Sequence, residues 1–153
     1  MIHVAVLGYG TVGSGVVEVI ETNKALINKR AGEELNVKYI LDLRDFPGDP
    51  YEAKVVHDVD VIMDDPQVSI VCETMGGVRA AYEFTKKALL KGKNVCTSNK
   101  EMVAKYGPEM LQLAKENNCN YLFEASVGGG IPIIRPMNEA LTGEKLEAIT
   151  GIL

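Results

Sequence analysis

The strongest constraint on this chain lies at its start. An apolar run over 2–7 leads without a break into Gly8-Tyr9-Gly10-Thr11-Val12-Gly13. A buried strand, then G-x-G-x-x-G, then a helix is the phosphate-binding turn of a dinucleotide fold. Gly8 permits the sharp turn off the strand, and Gly10 has no Cβ to hold a pyrophosphate away from the backbone. Gly13 lets the helix pack closely on the sheet. The unpaired N–H groups at the helix start, at its positive dipole end, then hold the anion. A turn built only for flexibility is the alternative, and the helical spacing of Val12, Val16, Val17, Ile20 and Ile27 argues against it. Gly15 weakens that helix, which marks it as an expected close-packing position.

The rest of the chain alternates. Strands are expected over 2–7, 36–43, 69–73, 94–96, 120–123 and 146–150, and helices over 12–30, 79–91, 101–117 and 133–142. This order predicts an α/β fold, a Rossmann-like doubly wound parallel sheet. Helix 79–91 places Ala80, Ala81, Phe84, Ala88 and Leu89 on one side, and Gly92 stops it. Helix 101–117 is expected to break at Tyr106-Gly107-Pro108, where Pro108 would start a second piece. Pro47, Gly48 and Pro50 make 44–52 a surface loop. At 153 residues the chain can bury one substantial core. Its last stretch, 146–153, reads as a strand that has only begun. Residues 1–132 are therefore expected to form the nucleotide-binding domain, and 133–153 the start of a second, incomplete one.

Bulk properties narrow the partners. A formal charge of -5 disfavours a nucleic-acid backbone, which needs a basic stripe. No apolar stretch is long enough for a bilayer, and a strand beginning at Ile2 leaves no room for a targeting peptide. A cytoplasmic protein is expected. Cys72, Cys96 and Cys119 lack metal-ligand or disulfide-framework spacing and read as reduced and structural.

Ligands of such sheets lie across the carboxyl ends of the strands. Beyond the glycine turn, Asp42 and Arg44 follow the second strand, where an acid would bind ribose hydroxyls and an arginine a 2′-phosphate. Solvation of a strand end explains either residue equally well. Glu73-Thr74-Met75-Gly76-Gly77 suits contact with ribose or nicotinamide, or is an ordinary strand-to-helix turn. Thr97-Ser98-Asn99-Lys100 places a lysine at the same edge, able to donate to a carbonyl oxygen and stabilise developing charge. The glycines 128–130 either expose carbonyl oxygens that, with a carboxylate nearby, suit a group I or II cation or form a hinge. On these residues alone the hinge is the simpler reading.

Five segments together resemble the homoserine dehydrogenase family: 8–15 (GYGTVGSG), Leu43-Arg44-Asp45, 73–77 (ETMGG), 97–100 (TSNK) and 124–134 (EASVGGGIPII). The resemblance spans the chain, and the last two pieces are far more specific than the glycine turn. It implies an oxidoreductase interconverting L-aspartate 4-semialdehyde and L-homoserine with NADP or NAD, on the route to threonine and methionine. Gly10, Thr11 and Val12 would contact the pyrophosphate, and Arg44 the adenosine ribose or its 2′-phosphate. Thr74, Ser98 and Lys100 would approach the nicotinamide, with Lys100 as the catalytic group that positions the aldehyde. Glu124, with main-chain carbonyls of Val127, Gly129 and Ile131, would hold sodium, which replaces the hinge reading. The family's substrate domain follows this region, so the chain alone is expected to lack turnover, and a homodimer is implied for the full-length protein. Asp42, just before Arg44, leaves the choice of coenzyme open. A non-catalytic NAD(H)-binding sensor is the second reading.

Overall fold

Alternation along the first strand sends its side chains into two separate cores. In the computed structural model, which describes residues 1–151, Val4 and Val6 of β1 (Ile2–Leu7) pack with Val17 and Ile20 of α1 (Thr11–Thr22). Ala5 and Leu7 join the opposite core. That core is closed by α3 (Val59–Met63), α4 (Arg79–Leu90) and α5 (Lys100–Glu116), through Ile62, Ala81, Leu89, Met102 and Met110. A strand buried on both faces with period two is what a doubly wound sheet requires.

The remaining strands are β2 (Leu35–Leu41), β3 (Val55–Val56), β4 (Val68–Glu73), β5 (Asn94–Thr97) and β6 (Tyr121–Leu122), in the order β3-β2-β1-β4-β5-β6. Each neighbouring pair is parallel. The order reverses between β1 and β4, and ligands of such sheets bind at the carboxyl end of that switch. The glycine turn sits there, directly after β1.

Five local expectations are corrected. The helix expected over 12–30 is two helices, α1 and α2 (Lys24–Ala31), separated by Asn23 with φ -100° and ψ 17°. No residue of α2 is buried, so no apolar stripe holds it in line with α1. The break expected at Pro108 does not occur, and α5 runs through it with Met102, Gly107, Met110 and Ala114 buried. Packing on both sides of Pro108 outweighs the roughly 3 kcal/mol that an interior proline costs a helix. No strand forms over 146–150. The last two residues of the stretch 146–153 lie outside the described residues. In 133–142 the helix is limited to α6 (Ile134–Glu139). Finally, a Cβ on Gly15 would meet nothing within 4 Å, so that glycine marks no close approach.

Candidate functional site

Gly8 turns the chain off β1 with φ +92°, and a Cβ on Gly13 would lie 1.8 Å from the Gly8 carbonyl oxygen. Both positions are closed to side chains, one by conformation and one by contact. Gly10 differs: a Cβ there would meet nothing within 4 Å, so open space lies above the turn. The first helical hydrogen bond of α1 runs from Ser14 N to Gly10 O at 2.9 Å. The N–H groups of Thr11, Val12 and Gly13 therefore have no acceptor within the helix. Thr74, just after β4, fixes the turn from the side. Its hydroxyl donates to the Leu7 and Gly8 carbonyls at 2.9 and 3.0 Å.

Two clefts flank this ridge, and Thr74 lines both. The first, of about 550 Å³, lies between Gly8, Gly10, Asp42, Arg44, His57 and the start of α4. The Asp42 carboxylate accepts from Tyr9 N at 2.9 Å, from Arg44 N and Nε at 3.0 Å each, and from Arg44 Nη2 at 3.1 Å. These bonds, led by those from the Arg44 side chain, hold its carboxyl well below the usual carboxylate range. Arg44 also lies over the Phe46 ring, 5.0 Å from its centroid, yet its side chain remains 64% exposed. His57 Nδ1 lies 2.7 Å from the Asp42 carbonyl oxygen, and this bond raises its pKa. Tyr9, buried and bonded to Asp49, is pushed up to about 12.

The second cleft, of about 350 Å³, is walled by Val12, Val16, Cys72, Cys96, Leu122 and Ala125, with Ser98 and Glu124 at its edge. Beneath it Glu73 is fully buried. Burial raises its pKa, against the bonds it accepts from the Thr97 hydroxyl and from Met75 N at 2.8 Å. Thr97 Oγ1 accepts in turn from Asn99 N at 3.0 Å. Asn99 caps α5 by accepting from Met102 N, and donates to the Gly77 carbonyl at 2.6 Å. One chain of hydrogen bonds thus binds segment 73–77 to segment 97–100. Lys100 opens α5 in an exposed position, one residue beyond this network.

Past β6 the Glu124 carboxylate caps the start of α6. It accepts from Ile133 N, from Ile134 N at 2.9 Å and from Arg135 N at 2.8 Å, which keeps its pKa low. The carbonyl oxygens of Val127, Gly129 and Ile131 accept no hydrogen bond from the described residues. Main-chain carbonyls and an ionised carboxylate are hard oxygen donors of the kind a cation takes, although both Glu124 oxygens already serve amides.

The structure therefore gathers Gly8, Gly10, Thr11, Val12, Gly13, Arg44, Thr74 and Ser98 along one edge, with Lys100 adjoining. Sequence reasoning passed over His57 and read Ala80 and Phe84 only as one side of a helix, yet all three line the first cleft, with Met75 of the segment 73–77. His57 follows a two-residue strand too short to show periodicity. Glu73 carried a usable signal, a carboxylate closing an otherwise apolar strand.

The chain matches the family model for "Homoserine dehydrogenase, NAD binding domain" over residues 8–124. Homoserine dehydrogenase of Bacillus subtilis (strain 168) is 40% identical over 159 residues, covering 99% of this chain and 36% of that protein. A solved homoserine dehydrogenase from Thiobacillus denitrificans superposes with a TM-score of 0.84 at 39% identity, over 93% of this chain and 33% of that one. A hyperthermophilic archaeal homoserine dehydrogenase mutant in complex with NADPH gives a TM-score of 0.76 at 30% identity, over 93% of this chain and 49% of that one. The chain thus spans about a third of the length of the curated relatives it matches. No helix among the described residues is long and apolar enough to cross a membrane. Glycine turn, sheet order and family match agree, and the chain belongs to the homoserine dehydrogenase family, with residues 8–124 matching its NAD-binding domain.

Proposed function

We propose that this chain is the nucleotide-binding portion of an enzyme that interconverts L-aspartate 4-semialdehyde and L-homoserine. The observation that carries the reading is a track along the strand ends, made by the first cleft, the open α1 start above Gly10 and the second cleft, with Thr74 lining both clefts. Such a track matches the extended shape of a dinucleotide lying across strand ends. When bound, NAD(P)H supplies the hydride for the aldehyde, and NAD(P)+ accepts it from the alcohol.

In this reading the amides of Thr11 and Val12, at the Gly10 turn, bind the pyrophosphate. Arg44 stands at the adenosine ribose, and Thr74 and Ser98 flank the nicotinamide end. Lys100 donates from Nζ to the substrate's carbonyl oxygen and stabilises the charge that develops there. One preorganised donor of this kind is worth roughly 3–4 kcal/mol of barrier. Asp42 is engaged by Tyr9 N and Arg44, so it does not confront a 2′-phosphate as a free carboxylate. That supports acceptance of NADP as well as NAD. Glu124 and the carbonyls of Val127, Gly129 and Ile131 would hold sodium in a structural role. Residues 1–132 form the cofactor domain in this reading, and 133–153 open the substrate and dimerisation domain of a cytoplasmic homodimer.

Calorimetric titration with NADPH and NADH tests it. The open space at Gly10 means that Gly10→Val retains the fold while placing a branched side chain where the pyrophosphate lies, and binding of both coenzymes should be strongly weakened. Arg44→Ala should weaken NADPH more than NADH by about tenfold, the charge-assisted contact being lost only with the phosphate. Equal affinities for wild type and Gly10→Val would remove the central claim.

A further inference from the structure

Cys72 and Cys96 are register partners on β4 and β5, with their sulfur atoms 3.3 Å apart. Both lie on the α1 side of the sheet and both line the second cleft. Cys119 is elsewhere, its sulfur 3.7 Å from the Leu89 and Ala114 carbonyls. We infer that Cys72 and Cys96 form an oxidisable dithiol in the floor of the second cleft, which closes to a disulfide with a peroxide as oxidant and so alters cofactor binding.

Neighbouring strands are spaced about 4.8 Å apart, within the Cα separations of about 4.4–6.8 Å that a disulfide spans. The sulfurs need only approach from 3.3 Å to the bonded distance of about 2.0 Å. Cys96 is the more exposed of the two. The S–H of Cys72 stabilises its thiolate, lowering the pKa of Cys96 and raising that of Cys72. The Cys96 thiolate attacks one peroxide oxygen, the O–O bond breaks, and the departing hydroxide takes a proton to leave as water. Sulfenic acid remains on Cys96. Cys72 then attacks that sulfur, the S–S bond forms, and a second water leaves with the Cys72 proton and the hydroxyl of the sulfenic acid. The two thiols lose two electrons and two protons, and the peroxide is reduced to two waters.

The next residues on the two strands are Glu73 and Thr97, hydrogen-bonded to each other, followed by Thr74 and Ser98. Drawing the sulfurs together therefore shifts the cleft floor and both flanking segments. The effect on cofactor rests on the function proposed above, whereas the cross-link does not. The test treats the chain with hydrogen peroxide, maps peptides by mass spectrometry and titrates NADPH before and after dithiothreitol. Expected are a peptide pair joined through Cys72 and Cys96, NADPH binding weakened by about tenfold, as a small misplacement of binding groups can cause, and recovery on reduction. Cys119→Ser should retain all three, and Cys72→Ala and Cys96→Ala should lack the linked pair and the peroxide effect. Oxidation without that link, or a link that leaves NADPH affinity unchanged, overturns the inference. Failure of the reduced chain to bind NADPH, with the link formed, instead overturns the functional reading.

Discussion

Asp42 and Glu73 end neighbouring regions of one sheet edge, and they are held in opposite ways. Asp42, on the first cleft, is surrounded by donors, and its pKa falls. Glu73, beneath the second, is enclosed by the core, and its pKa rises despite two accepted hydrogen bonds. The first cleft is organised by charge beside solvent, the second by burial beneath an apolar floor. Carboxylates at equivalent strand ends thus acquire different properties from their surroundings alone.

The largest expected effect acts on both regions at once. Gly13→Val drives a side chain into the Gly8 carbonyl, 1.8 Å from the new Cβ, and should cost about 3 kcal/mol or more. Urea denaturation should show a lowered midpoint. An unchanged midpoint would mean that the ridge between the clefts yields easily, and that their separation is not fixed by the glycine turn.

Next comes Glu73→Ala, which leaves the Thr97 hydroxyl and Met75 N–H without their acceptor, at about 1–3 kcal/mol. Its pH dependence sharpens the contrast. Because the folded-state pKa of Glu73 is raised, its contribution is fully present below the ordinary glutamate pKa and lost as pH rises through the raised value. The difference in stability between wild type and Glu73→Gln should therefore move against wild type as pH rises over that window. A flat difference would show that Glu73 keeps an ordinary pKa.

Asp42→Asn should give the opposite slope and a smaller effect. Its folded-state pKa is lowered, so its contribution is present above the ordinary aspartate pKa and lost as pH falls through and below it. Arg44 is largely exposed, which discounts the pair to about 1 kcal/mol or less. Denaturation of wild type and Asp42→Asn across acidic pH reads this directly. Convergence at high rather than low pH would refute the assignment.

Much of the edge was legible because its signals are local. The apolar run over 2–7, the glycine spacing and the strand ends at Glu73 and Thr97 depend on neighbours in sequence, and each stands where expected. Pro108 was misread because the cost of an interior proline is local while the packing of Met102 and Met110 that offsets it is not. The pairing of Cys72 with Cys96 depends on register between strands, which spacing along the chain does not encode. His57 joins Arg44 in the first cleft for the same reason, through a strand of two residues.

The placement of β1 between β2 and β4 also bears on how the molecule is made. β1 leaves the ribosome before both strands it pairs with, and its register partner for Leu7 on β4 is Glu73. At translation rates of about 5–20 residues per second, that edge waits roughly 3–13 s for its neighbour. Throughout that interval an apolar strand bearing unpaired amides is available to other nascent chains. The glycine turn owes its central position to a strand that must remain half-paired during synthesis.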